Sequence, residues 1–208
     1  MRINIARLSL LLPLLLLGCT GHFGTKDETP KSSLLYPDLP YTETALVAGV
    51  AYQTAGSAGY ADGSPGKFKL PGGIALDSNY YYVADSGNHT IRRISRTTGV
   101  AQTIAGINGS AGSADGAIGI STFNQPIGLL LVGSLLYVAD FDNYTIRTID
   151  VSSASFTVST VAGSAGNAGD ADGAGTSARF VNPTGMVLVN GSLYIADQQN
   201  HTVRKMRL

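Results

Sequence analysis

The segment Tyr-Val-Ala-Asp-Phe-Asp-Asn-Tyr-Thr-Ile-Arg, residues 137–147, is the most informative part of the sequence because the chain contains this pattern three times. The other copies are Tyr-Val-Ala-Asp-Ser-Gly-Asn-His-Thr-Ile-Arg at 82–92 and Tyr-Ile-Ala-Asp-Gln-Gln-Asn-His-Thr-Val-Arg at 194–204. In each copy an apolar run ends at an aspartate, and a threonine begins a second run five residues later. Short aromatic and β-branched runs bounded by polar residues are typical of strands. Each copy therefore predicts two strands joined by a tight polar turn.

The polar residues of these turns favour a structural role over a chemical one. Aspartate can accept backbone N–H bonds within a turn, and asparagine tolerates the left-handed conformation. An active site is normally built once, whereas this pair recurs in every copy. We therefore predict structural turns at Asp85, Asn88, Asp140, Asn143, Asp197 and Asn200.

The self-similarity extends well beyond the motif. The motif aspartates stand 55 and 57 residues apart, and each period also contains an Ala-Asp-Gly, a Phe three residues before a Pro, and a Gly two residues after that Pro. Each period has room for four short strands. A period of this size with four antiparallel strands is typical of a β-propeller blade, so the sequence predicts an all-β fold.

Pro-x-Gly, Tyr-Val-Ala-Asp and Asn-His-Thr-Ile-Arg together resemble the NHL repeat, and the resemblance covers residues 45–208. It implies a propeller of about six blades, used mostly as a binding scaffold. The propeller region is predicted at 44–208, with repeats at about 44–100, 101–156 and 157–208.

The predicted strands run one, four, four and three, beginning with Thr44–Ala48, and the first strand can complete the last blade. Three blades are half of a six-bladed ring. Two explanations stay open: a homodimer that completes the ring, or a truncated fragment without independent function.

The first 18 residues predict a lipoprotein signal peptide. Arg2 and Arg7 precede the leucine-rich segment Leu8–Leu17, which is too short to span a bilayer. Leu16-Leu17-Gly18-Cys19 resembles the bacterial lipobox, which implies lipidation of Cys19, the only cysteine. A plain secretory leader is the alternative. In lipoproteins of this kind the absence of aspartate after the cysteine, where this chain has Thr20, implies the outer membrane of a Gram-negative bacterium. Residues 19–43 are polar and contain prolines, which predicts a tether.

Composition restricts the function classes. Hydrophobic residues make up 44% of the 208 residues, which indicates a folded chain, and 14 basic residues balance 14 acidic ones. Nucleic-acid binding usually needs a basic surface, so this class of partner is not expected. Contact with the membrane is expected through the lipid anchor alone.

Three glycine-rich insertions, residues 57–67, 110–121 and 164–178, connect the predicted blades. Long loops on a rigid scaffold are where binding surfaces usually lie. The alternative is that they are spacers without a ligand. The candidate binding residues are Tyr60, Asn108, Asp115, Asn167, Asp170 and Arg179.

Metal binding is a weaker hypothesis. His89 and His201 occupy equivalent positions, but Tyr144 at the middle position breaks any ring of three. Asp170-Ala171-Asp172-Gly173 is similar to the start of a calcium loop, without the glutamate that closes one. We predict no cofactor, and calcium stays an alternative without assigned ligands.

No catalytic or phosphate-binding motif is found in the sequence, which favours a non-enzymatic envelope lipoprotein that presents a propeller surface to a protein or a glycan. The alternative is a propeller-type lyase or hydrolase with a metal in its channel.

Overall fold

A computed structural model describes residues 58–208. The predicted signal peptide, Cys19, the tether and the predicted strand Thr44–Ala48 lie outside the described residues. Within the described part of the chain, no helix has the length and apolar character needed to cross a membrane.

The described residues form eleven short strands in three antiparallel sheets. The strands are β1 Pro71–Leu76, β2 Tyr80–Asp85, β3 Thr90–Ser95, β4 Ala101–Gly106, β5 Pro126–Val132, β6 Leu135–Asp140, β7 Thr145–Asp150, β8 Val158–Gly163, β9 Pro183–Val189, β10 Ser192–Asp197 and β11 Thr202–Arg207. Strands β1–β4 form blade one, β5–β8 form blade two and β9–β11 form blade three, each in chain order. Short 3₁₀ turns occur at Ser86–Asn88, Phe141–Asn143, Gly175–Ser177 and Gln198–Asn200.

The prediction of an all-β fold made of propeller blades is confirmed. The observed four, four and three strands match the last three groups predicted from the sequence. The blades are offset by one strand from the sequence repeats, because β4 at Ala101–Gly106 pairs with β3 although it opens the second repeat. The described sheets do not close into a ring.

The first strands β1, β5 and β9 lie beside one another, and a glycine in each of the first two permits the close approach. A Cβ added to Gly73 would lie 2.5 Å from the carbonyl oxygen of Ile127, and one added to Gly128 would overlap the carbonyl oxygen of Thr184. The glycine of Pro-x-Gly is therefore required wherever one blade meets the next.

The hydrophobic core lies between the blades. Successive side chains of a strand point to opposite faces of its sheet. Strand β6 shows this, because Leu136 and Val138 pack in the cluster shared with blade one, whereas Tyr137 and Ala139 pack in the cluster shared with blade three. Blade two is thus buried on both faces, and its near-continuous apolar runs follow from that position.

Candidate functional site

Each repeated motif forms one 3₁₀ turn followed by a single left-handed residue. The left-handed residues are His89, Tyr144 and His201, with φ of 58°, 60° and 55°. The prediction that the asparagines adopt this conformation is wrong, because each asparagine is the last residue of the 3₁₀ turn. The asparagine is needed for its side-chain amide, which has two partners.

Those partners are visible in blade two. Asn143 Nδ2 donates to Asp140 Oδ2 at 2.6 Å and to the carbonyl oxygen of Gly112 at 2.7 Å. Asp140 Oδ1 accepts the backbone N–H of Asn124 at 2.8 Å. The expectation that the aspartate accepts backbone N–H bonds within its own turn is therefore wrong. Asp140 instead binds the backbone of the segment that leads into β5.

Arg147 completes this arrangement and was not identified from the sequence. Its Nη1 donates to Asp140 Oδ2 at 2.8 Å and its Nη2 to Asp115 Oδ1 at 2.6 Å. The guanidinium carbon lies 4.9 Å from the centre of the Phe123 ring, a cation–π geometry. We call Arg147, Asp140, Asn143, Asp115 and Phe123 the arginine cluster of blade two.

The arginine cluster is repeated in all three blades. Arg92 pairs with Asp85 at 2.9 Å and Asp62 at 2.6 Å, with its guanidinium carbon 4.9 Å from the Phe68 ring. Arg204 pairs with Asp197 at 3.1 Å and also with Asp172. Its guanidinium carbon lies 5.2 Å from the third ring, that of Phe180. The outer part of the third cluster is more open, since the side chain of Asp172 is 96% exposed whereas that of Asp115 is 47% exposed.

Burial and pairing act on these groups in opposite directions. Burial raises the pKa of Asp140 to about 6, and the positive charge of Arg147 and the bond from Asn143 limit the rise. Burial also opposes ionisation of Asp115, but the hydrogen bonds from Thr160 and Arg147 outweigh it and hold its pKa below the ordinary value.

The insertions are bound to the blades that follow them. Gly63 and Ala101 exchange two backbone hydrogen bonds of 2.8 and 2.9 Å, and Gly116 and Val158 exchange two of 3.1 and 2.8 Å. Each pair joins an insertion to the first residue of a fourth strand, β4 or β8. These contacts, together with the arginine clusters, give the first two insertions a defined path over their blades.

Three of the candidate binding residues make contacts within the chain. The hydroxyl of Tyr60 lies 2.9 Å from that of Thr103. Asp115 Oδ2 accepts the backbone N–H of Thr160 at 3.0 Å, and Arg179 Nη1 donates to the carbonyl oxygen of Thr176 at 2.7 Å. Asp115 is thus part of the arginine cluster, although almost half of its side chain faces solvent.

The other three candidates are exposed. Asn108 and Asp170 face solvent, and Asn167 is exposed while its Nδ2 donates to Ser164 Oγ at 3.0 Å. Asn108 lies in the connection between blades one and two, whereas Asn167 and Asp170 both lie in the connection between blades two and three. In contrast to the arginine clusters, these side chains differ from one connection to the next.

Within the described residues, His89 and His201 belong to no group that could hold a metal ion. His89 Nδ1 accepts the backbone N–H of Gln125 at 3.1 Å, a contact between blades one and two, and His201 is exposed. Among residues 58–208, no three His, Cys, Asp or Glu side chains are placed so that they could hold a metal ion.

A cavity of about 310 Å³ lies beside β11 and is lined in part by Asp172, Phe180, Arg204 and Arg207. In blades one and two, a fourth strand occupies the corresponding position beside β3 or β7.

Two repeat models match the chain: the NHL repeat at residues 68–94 and the LVIVD repeat at residues 128–158. NHL repeat-containing protein 2 of Bos taurus is 36% identical over 91 residues, which are 43% of this chain and 12% of that protein. The chloroplastic protein SUPPRESSOR OF QUENCHING 1 of Arabidopsis thaliana is 31% identical over 134 residues, 60% of this chain and 13% of that protein. The chain thus spans about an eighth of the length of these relatives.

Solved structures show the same fold. An auxiliary nutrient binding protein from Bacteroides ovatus ATCC 8483 is 27% identical with a TM-score of 0.57, over 64% of this chain and 36% of that one. One from Bacteroides thetaiotaomicron VPI-5482 is 22% identical with a TM-score of 0.55, over the same shares. The repeat matches, the relatives and the three blades together support an NHL-repeat protein whose fold is that of β-propeller blades.

Proposed function

We propose that this protein is a non-enzymatic binding protein of the bacterial cell envelope, held by a lipid on Cys19, whose inter-blade insertions bind a glycan. The observation that carries the proposal is the contrast between the blades' common scaffold and their different exposed side chains. The arginine clusters recur in all three blades, whereas Asn108, Asn167 and Asp170, exposed polar residues of the connections that lie outside these clusters, are not repeated from one connection to the next. Residues that hold every blade together are expected in every repeat. Residues that recognise one ligand are expected to differ between repeats.

The chemistry of the exposed residues suits a sugar. Asn108 and Asn167 offer both donors and acceptors, and Asp170 offers two acceptor oxygens, which together complement hydroxyl groups. Tyr60 is 37% exposed in the first insertion, with the guanidinium of Arg92 over its ring, and the exposed part of the ring can contact an apolar face of a ligand. The neighbours from Bacteroides are described as nutrient binding proteins, and this supports a nutrient glycan as the ligand.

Enzymatic use of the motif carboxylates is disfavoured by their surroundings. Asp85, Asp140 and Asp197 are fully buried, and each is bonded to an arginine and an asparagine of its own blade. A general acid or base must reach its substrate within hydrogen-bond distance. These aspartates therefore have a structural role. The lyase or hydrolase alternative cannot use them as its general acid or base, although they are the carboxylates that recur in every blade.

The envelope location rests on the leader. Two arginines, a leucine-rich segment and Leu16-Leu17-Gly18-Cys19 fit a lipoprotein signal, and Thr20 fits the outer membrane.

Glycan binding is tested with the full chain purified in detergent. A panel of neutral and acidic oligosaccharides is screened, and the strongest binder is measured by calorimetry. Asn167→Ala and Asp170→Ala should each weaken binding about tenfold, the effect of losing one hydrogen bond to a ligand. The control Asn79→Ala changes an exposed residue far from the insertions in the sequence.

The melting temperature of the insertion variants should equal that of the unmodified protein. Absence of binding to every oligosaccharide would contradict the proposal. The proposal would also be contradicted if an oligosaccharide bound but neither insertion variant changed its affinity.

A further inference from the structure

The two ends of the blade array expose side chains that are buried where blades meet. Leu129 of β5 is 8% exposed, whereas the equivalent Ile74 of β1 is 62% exposed. Ile146 of β7 is fully buried, whereas the equivalent Val203 of β11 is 72% exposed. Blade one and blade three thus each present one face built for packing against another blade.

We call the first strand of each blade, β1, β5 or β9, its inner strand. The inner strand of blade three retains, at Gly185, the glycine that lets inner strands of neighbouring blades approach closely. Cβ atoms at Gly73 and Gly128 would collide with the carbonyl oxygen of the neighbouring inner strand, but one at Gly185 would meet nothing within 4 Å. Two apolar residues of the same strand, Val187 and Val189, are 54% and 45% exposed. The equivalent residues of blade two, Leu130 and Val132, pack in the cluster between blades two and three.

The polar contacts between blades also have equivalents at the ends. Between blades one and two, His89 Nδ1 accepts the backbone N–H of Gln125 at 3.1 Å. The residue of blade three equivalent to His89 is His201, which is exposed, and the residue of blade one equivalent to Gln125 is Leu70. Leu70 and Gln125 adopt the same left-handed backbone, with φ of 49° and 51°. Both halves of this hydrogen bond therefore exist at opposite ends of one chain.

We infer that a second copy of this chain docks head-to-tail on the array, its blade one covering blade three as blade two covers blade one. In this arrangement His201 accepts the backbone N–H of Leu70 of the partner subunit, and Gly185 lies against the inner strand of the partner subunit. A two-fold axis uses the same pair of faces twice, so that both exposed ends of the described array are covered. The described blades of the two copies then form one ring.

A second copy is favoured because both faces carry the elements of an interface that this chain already makes twice. The apolar positions, the glycine and the histidine contact all continue the register of the blade one–blade two interface. This inference does not depend on the proposed glycan, because it is argued from Ile74, Gly185 and Val187, none of which is assigned to binding, although Asp170 lines a cavity together with Val203. A monomer that binds the glycan and a dimer that binds none are distinguishable outcomes.

The first test is the mass of the full chain in detergent, measured by light scattering with correction for the bound detergent. We expect two copies. Gly185→Ala should weaken the dimer at least tenfold and leave the melting temperature of the monomer unchanged, since the added methyl has open space within one copy. Val187→Asp should act in the same way. The control Ile120→Asp alters a residue that is 63% exposed in the second insertion, and it should leave the mass at two copies.

The second test determines which faces meet. Val203→Asp and Ile74→Lys should each weaken the dimer, and the chain carrying both should regain it, because head-to-tail docking places each new charge opposite the other. If blade three docked on blade three, the two copies of Val203→Asp would face each other, and adding Ile74→Lys would not restore the dimer. A monomeric unmodified chain, a dimer insensitive to Gly185→Ala, or failure of the double variant to regain the dimer would overturn the inference.

Discussion

Arg147 Nη1 and Asp140 Oδ2 lie 2.8 Å apart, and both side chains are fully buried. Removing two charges from water is costly unless they are paired and their remaining hydrogen-bonding atoms are satisfied. Asn143, the backbone N–H of Asn124 and the carbonyl oxygens of Ala114 and Thr122 supply those additional bonds. The repeated motif is therefore the polar centre of each blade, and its regularity reflects folding.

Replacing Arg147 with methionine should lower the free energy of unfolding by about 3–5 kcal/mol, because Asp140 would remain buried without its counter-charge. Urea unfolding followed by circular dichroism measures the loss. The control Arg207→Met changes an exposed arginine, and its effect should stay within about 0.5 kcal/mol. Equal effects of the two variants would contradict the structural role of Arg147.

Gly128→Ala should destabilise the fold by about 1–3 kcal/mol, because the added methyl overlaps the carbonyl oxygen of Thr184 in the next blade. Thermal unfolding at a concentration where the protein is monomeric provides the measurement. The same change at Gly185, where the space is open, should leave monomer stability unaltered. A harmless Gly128→Ala would show that blades two and three do not pack as described.

The contribution of Asp115 to stability should depend on pH. Its pKa is lower in the folded protein than in the unfolded chain, so its contribution to stability is present above the unfolded value, about pH 4, and is lost as the pH falls through the folded value. Asp115→Asn should therefore be less stable than the unmodified protein at pH 7, and the difference should shrink below about pH 4. Unfolding curves between pH 7 and pH 2.5 measure this, and a difference that does not change with pH would contradict it.

Cys19→Ser should release the protein from the membrane fraction into the soluble fraction, because the lipid attachment site is lost. Cell fractionation and immunoblotting measure the distribution. The matched variant Ser32→Ala, in the predicted tether, should stay with the membrane. Retention of Cys19→Ser at the membrane would contradict lipid anchoring.

The strands were predictable because their signal is local. Runs such as Tyr194–Asp197 combine aromatic and β-branched residues and end at a polar turn, and three copies in one chain made the period visible. The order of strands within a blade followed from the antiparallel connections. The strand count of four, four and three could be read directly along the sequence.

The arginine clusters were not predicted because their members lie far apart along the chain. The arginines bind insertion aspartates 30, 32 and 32 residues earlier, and this pairing arises only when the insertion folds back over its blade. A signal was present nonetheless. The Asp of Ala-Asp-Gly, the Phe and the motif Arg recur in every period at nearly constant separations, which is the pattern of residues that act together.

The left-handed conformation in each turn falls on the residue after the asparagine for a related reason. Asparagine has the stronger preference for that conformation, but in blade two the amide of Asn143 bridges Asp140 and Gly112. Tyr144 adopts the positive φ instead, and the tertiary hydrogen bonds outweigh the local preference.

A double-mutant cycle on the free energy of unfolding measures whether the motif arginine and aspartate stabilise each blade as a pair. The four proteins are the unmodified chain, Arg147→Met, Asp140→Asn and the chain with both changes. We expect a favourable coupling of about 2 kcal/mol, because each single change leaves the other buried group without its partner. Effects of the two single changes that simply add in the double variant would contradict the claim.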